Sequence, residues 1–173
     1  MQSIGQVSSI AVLSLLSATV ASAQVKQNSQ GEKQKVETNF QMLIPGTMPK
    51  SVGYSQLAIV TGGTVVFIAG QVALDQSGNV VGKDDFKAQI QQVFENLKAA
   101  LEAAGGSFND VIKLNSYFID LSHAADFREV RDKYINVKKP PASTAIQVAR
   151  LFRPEFLIEV EAVAVVPSNV TMK

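Results

Sequence analysis

Two glutamates stand two residues apart in the run Leu157-Ile158-Glu159-Val160-Glu161-Ala162-Val163-Ala164-Val165. A strand sends alternate side chains to opposite faces, so Leu157, Glu159, Glu161, Val163 and Val165 share one face, and Ile158, Val160, Ala162 and Ala164 the other. An unpaired carboxylate is costly to bury. At least one of the two must therefore be paired, kept neutral, or set in a cleft, where its titration shifts. A solvent-facing edge with Arg150 or a lysine as partner accounts for the same spacing. Just before this run, Lys139-Pro140-Pro141-Ala142-Ser143-Thr144-Ala145-Ile146-Gln147-Val148-Ala149-Arg150-Leu151 enters extended through two prolines and continues as a short strand.

Other residue types exclude more than they offer. The 173-residue chain has no cysteine and one histidine. Disulfides, thiolate metal sites, cysteine nucleophiles and histidine clusters are thereby removed. The one histidine, His123, stands at the start of a helix and reads as solvated. Asp84-Asp85 suits a helix N-terminus and has no neighbouring ligands for a metal. Gly62-Gly63 lacks the GK[ST] of a phosphate loop. Asp126, Arg128, Glu129, Arg131, Asp132 and Lys133 alternate in sign, the mark of a solvated helix face. Arg131 is the one member of that set kept open as a ligand contact.

The elements that must position these residues follow from periodicity. Residues 55–60 and 64–72 are apolar and β-branched around Thr61-Gly62-Gly63, a hairpin signal. Asp75-Gln76-Ser77-Gly78-Asn79 is a turn. Phe86, Ile90, Val93, Leu97 and Leu101 form one helical stripe, capped by Asp84 or Asp85 and stopped by Gly105-Gly106. Residues 111–119 alternate as a strand, and 122–135 form a second helix with Phe127, Val130, Tyr134 and Ile135 inward. The order is β-β-α-β-α-β-β, an α+β fold with one mixed sheet and both helices on one face. Ile68, Ile158 and Val160 are then expected on the uncovered face, which calls for self-association and would place clefts at subunit boundaries.

Residues 10–21 are an apolar run ending in Ala21-Ser22-Ala23-Gln24, which reads as a cleaved secretory signal over residues 1–23. Export to a periplasm or to the outside is the expectation. Residues 24–50 read as a flexible mature N-terminus, within which 39–50 is a loop or a short edge strand. One domain occupies residues 51–168. A net charge of +1 without a basic stripe argues against nucleic acid as a partner. No second apolar stretch long enough to cross a membrane follows the signal.

Read this far, the chain resembles the RidA/YjgF family of small deaminases. The markers are Gly53-Tyr54, Ile68-Ala69-Gly70-Gln71, Phe94-Glu95-Asn96-Leu97, Ala103-Ala104-Gly105, Val111-Ile112-Lys113, Tyr117-Phe118-Ile119-Asp120-Leu121, Pro141-Ala142, Val148-Ala149-Arg150-Leu151 and Ile158-Glu159-Val160-Glu161-Ala162. The resemblance implies a chorismate-mutase-like fold assembled as a homotrimer, with small-molecule clefts between subunits. It implies hydrolysis of enamines or imines such as 2-iminopropanoate, without metal or organic cofactor. Carried over, Glu159 is the glutamate that activates water, Tyr54 the pocket tyrosine, Gly70 the backbone position, and Ala145 a residue used through its backbone. Ser143 stands where the deaminases carry an arginine that clamps the substrate carboxylate. Serine offers one hydroxyl and no charge, a loss of about 2–5 kcal/mol for a buried charged contact. Arg131 could bring charge from the second helix. The alternative expectation is a non-catalytic trimer whose clefts bind a small molecule or a protein segment.

Overall fold

The computed structural model describes residues 39–168. The expected signal, and most of the stretch expected to be flexible, lie outside the described residues. Six strands form: β1 (Asn39–Leu43), β2 (Leu57–Gly62), β3 (Thr64–Gln71), β4 (Val111–Phe118), β5 (Ala142–Gln147) and β6 (Ile158–Val166). Two α-helices join them, α1 (Phe86–Ala103) and α2 (Ala124–Arg131). From β2 onward the order is the one the periodicity predicts, and β1 is the short strand allowed for within 39–50.

The central sheet runs β3-β6-β4-β5. β6 is antiparallel to both β3 and β4, whereas β5 lies parallel to β4. A parallel pair needs a crossover, and α2 supplies it. The expected hairpin of β2 with β3 does not form. Instead β2 pairs with β1, Met42 opposite Ala58 and Leu43 opposite Leu57, as a separate two-stranded ladder. The expected single sheet is thus divided. One residue, Gly63, separates the strands, and it alone of the glycine pair has positive φ, at 107°. A two-residue hairpin turn of type I′ needs two such residues, so the chain turns out of the sheet here.

Each helix is dictated locally and then paid for by packing. Asp85 caps α1 by accepting from the Ala88 amide at 3.0 Å. The helix ends as Gly105 takes φ 74° and the Gly106 amide donates to Leu101 O at 2.8 Å. The whole stripe Phe86, Ile90, Val93, Leu97 and Leu101 is buried. It packs into one core with Leu114 and Phe118 of β4, Ile158, Val160, Ala162 and Ala164 of β6, and Phe127 and Val130 of α2. α2 is shorter than the 122–135 expected: a 3-10 turn over Leu121–His123 precedes it, and turns carry the chain on to Ile135.

Both helices cover the same face of the sheet, and it is the face bearing Ile68, Ile158 and Val160. The expectation that these three lie uncovered is therefore corrected. The pleat left room for either assignment, and the larger unbroken apolar set took the helices. On the open face Phe67 is 81% exposed and Val65 45% exposed, opposite Val163 and Val165, and the same face of β6 carries Glu159 and Glu161 further along.

Candidate functional site

On the open face, strand register decides the roles of the two carboxylates. β4 sets Asn115 opposite Glu161 and Tyr117 opposite Glu159. Glu161 Oε1 accepts from Asn115 Nδ2 at 2.7 Å and from the Tyr117 hydroxyl at 3.1 Å. Burial and the bond to Glu161 push the Tyr117 phenol up, so it stays a donor. Glu159 accepts no hydrogen bond among the described residues. Desolvation, reinforced by the neighbouring charge of Glu161, holds its carboxyl above the ordinary value of 4.5. Two adjacent glutamates thus differ: Glu161 is tied down, and Glu159 is free to take and give a proton.

Gly70 completes this half. A β-bulge between Ile68 and Gln71 turns its Cα toward Glu159. A Cβ placed there would collide with Glu159 Oε1 and lie 2.7 Å from its Cδ. Only glycine lets the carboxylate stand over the β3 backbone. Glu159, Glu161 and Tyr117 border an open hollow of about 570 Å³ whose other lining residues include Arg150, Leu151 and the exposed Phe152. Neither Arg150 nor a lysine makes an ion pair with either glutamate among the described residues, so the edge-pair account of the two carboxylates does not hold.

The remaining expected residues gather elsewhere. Ser55 donates through its hydroxyl to Pro140 O at 2.7 Å and through its amide to Pro141 O at 3.1 Å. These bonds pin the segment carrying Tyr54 to the proline entry of β5. Parallel pairing sets Ser143 beside Leu114 and Ala145 beside Ser116, on the helix side of the sheet. Tyr54, Ser143, Ala145 and Arg131 together line a cavity of about 290 Å³ under α2. Arg131 is not on a solvated face. It is 5% exposed, with Nε and Nη2 donating to Asp132 Oδ1 at 2.9 and 2.7 Å. Its Nη2 would lie 3.0 Å from a Cβ at Gly53, a residue at φ 77°.

One chain therefore carries two separate cavities, one on each side of the sheet. Tyr117 belongs to the Glu159 cavity and Phe118, its neighbour in β4, to the Arg131 cavity. Consecutive strand residues face opposite ways, so the sheet stands between them. Three residues escaped the sequence reading. Asn115 and Tyr117 become partners of the glutamates only through register, which no local pattern records. Arg128, which also lines the smaller cavity, could have been found from its i,i+3 spacing to Arg131. A larger cavity of about 760 Å³ lies between β1 and residues 108–111. Its one acid, Asp110, is already spent on capping Ser107. Among the described residues no group of three or more His, Asp or Glu is placed to hold a metal ion. No described helix is long and apolar enough to cross a membrane.

Comparison with known proteins follows the same outline. The profile of one family, described as Endoribonuclease L-PSP, matches residues 46–166. A RutC family protein of Pyrococcus horikoshii is 45% identical over 117 residues, which is 67% of this chain and 90% of that protein. Among solved structures, a protein of unknown function of the conserved Rid family from Yersinia pestis superposes with a TM-score of 0.66 at 35% identity, over 74% of this chain and 99% of that one. RidA from the Antarctic bacterium Psychrobacter sp. PAMC 21119 does so at 0.56 and 40% identity, over 73% and 99%.

Proposed function

This chain belongs to the RidA/YjgF family, and from that premise we propose that it hydrolyses small enamines or imines to a carbonyl compound and ammonia. The carrying observation is Glu159: unpartnered, raised by burial, and seated against a glycine that leaves it room. An imine R₂C=NH plus water gives R₂C=O plus ammonia. Glu159 takes a proton from the attacking water as oxygen bonds to the imine carbon. That proton passes to nitrogen, giving the tetrahedral adduct R₂C(OH)NH₂. The adduct's hydroxyl then gives its own proton by way of Glu159 to the nitrogen, the C=O bond forms as the C–N bond breaks, and ammonia leaves. Glu161, tethered by Asn115 and Tyr117, lies beside Glu159 and adds to the raising of its carboxyl, which favours the proton's transient residence there.

The clefts form between copies of the chain. Two different half-sites that meet head to tail make a heterologous interface, and such interfaces close into rings. The exposed Phe67 and Val65, paired with Val163 and Val165 further along the face that carries Glu159, supply the apolar contact. The count of three rests on the resemblance. Tyr54, Ser143 and Ala145 of one copy then orient the substrate under Glu159 of the next. The leader expected at residues 1–23 puts the reaction in a periplasm or outside the cell. A near-neutral chain whose open face carries two carboxylates is poorly suited to a polyanion.

The test is hydrolysis of 2-iminopropanoate generated in place, by wild type and by Glu159→Gln. Loss of turnover in the variant, by roughly 100-fold or more, with unchanged assembly is the expected result. Equal activity in the two would sink the reading. One observation favours a second reading, a non-catalytic binding trimer: Ser143 brings no charge to the place where a carboxylate would sit. Ligand stabilisation without turnover by wild type would select it.

A further inference from the structure

The cavity under α2 is more cationic than its strand motif implies. Arg131 is 5% exposed, and burying a guanidinium is unfavourable unless its N–H groups find partners. Asp132 occupies Nε and Nη2 through a single oxygen and is itself 42% exposed on its side chain. The Nη1 end makes no hydrogen bond among the described residues. One turn earlier Arg128 lines the same cavity and has no carboxylate within ion-pair distance among the described residues. No acidic side chain lines this cavity. Two cations against one flanking carboxylate leave a net charge of about one, which suits a single anion. The rest of the wall is apolar, with Val52, Phe118 and Phe127 prominent, and Tyr54 and Ser143 supply hydroxyls.

We propose that Arg128 and Arg131 form an anion subsite, holding the carboxylate of a ligand whose remaining body is a hydrocarbon chain. Charge denied to β5 by Ser143 is thus delivered from α2. A planar guanidinium with a free edge matches a carboxylate's two oxygens. The volume of about 290 Å³ admits a small acid of the size of a branched-chain 2-oxo or 2-imino acid. That the acid is an imine undergoing hydrolysis rests on the function proposed above; binding of the anion does not.

The experiment measures equilibrium binding to the full chain by calorimetry, with 4-methyl-2-oxopentanoate, its methyl ester and inorganic phosphate as probes. Wild type is expected to bind the acid roughly tenfold or more tightly than the ester. Arg128→Gln, at an exposed position that folding tolerates, should remove about that factor for the acid and leave the ester unchanged. Arg131→Lys keeps the charge and loses the fork, so it should fall between. Equal affinity of wild type for acid and ester would overturn the subsite, as would acid affinity indifferent to both substitutions. Phosphate binding tighter than the acid would overturn the carboxylate assignment. Imine hydrolysis run in parallel separates the two proposals. Arginine-dependent acid binding with an inert wild type keeps the subsite and removes the hydrolase; turnover with arginine-independent binding does the reverse.

Discussion

The two faces of β6 were built from one alternating run, yet they carry opposite duties. Ile158, Val160, Ala162 and Ala164 lie against the helices at 2% exposure or less, and nothing about them is free to change. On the reverse, Glu159 and Glu161 sit half-buried among Tyr117, Asn115 and the unpacked Phe67. The covered face holds the fold together, and the open face leaves Glu159 without a hydrogen-bond partner among the described residues while Glu161 has two. A protein cannot poise a carboxylate inside a packed core without neutralising it, so the proposed chemistry is set where packing stops. The arginine cavity lies on the other face, beside the edge strand β5, where α2 leaves a gap.

Substitutions can sharpen or break that comparison. The largest difference is expected between Leu114→Ala and Phe67→Ser. Leu114 is fully buried, and its truncation should cost about 2–5 kcal/mol in chemical denaturation. Phe67→Ser, at 81% exposure, should change subunit stability by only about 0.5 kcal/mol. It should nonetheless shift the sedimentation coefficient toward the single chain if the open face mediates assembly. A large stability loss without dissociation would break the comparison. Gly53→Ala is next. It places a side chain at φ 77° and 3.0 Å from Arg131 Nη2, so about 1–2 kcal/mol should be lost. Weakened binding of a small acid should accompany it, if the arginine cavity is a ligand site.

Proton linkage separates the faces by a smaller margin. Facing Glu159 are Glu161 on its own strand, Tyr117 on β4, and Arg150 in the loop before β6. The folded carboxyl titrates above the unfolded value of 4.5, so the native state binds this proton more tightly than the unfolded chain does. Stability assigned to this group therefore falls as pH rises through 4.5 and levels off above the folded value. Glu159→Gln should melt higher than wild type at neutral pH and match it below that window; a constant offset at every pH would contradict the assignment. Hydrolysis should rise with pH on an acid limb whose midpoint also lies above 4.5. The smallest effect belongs to the covered face. Ser116 Oγ is buried without a partner, so Ser116→Ala should be neutral or stabilising by up to about 1 kcal/mol in denaturant titrations.

Much of this was legible in the sequence because it is local. The α1 stripe, its aspartate cap, the glycine stop, the proline entry to β5 and the sorting of β6 into two faces all depend on residues a few positions apart. Glu159, Tyr54, Gly70, Ser143 and Ala145 were named from motifs; four of them line a cavity on the folded chain, and Gly70 lies against Glu159. Three things were decided only by the tertiary structure. Which face of the sheet the helices cover is a contest between two apolar sets, settled by packing across the whole layer. Register between β4 and β6, fixed by contacts some forty residues apart, gave Glu161 its two donors and left Glu159 with none. The docking of α2 over β5 drew Arg131 out of a run that reads as solvent-facing and put it beside Ser143, because a helix's charge pattern does not record what lies beneath it.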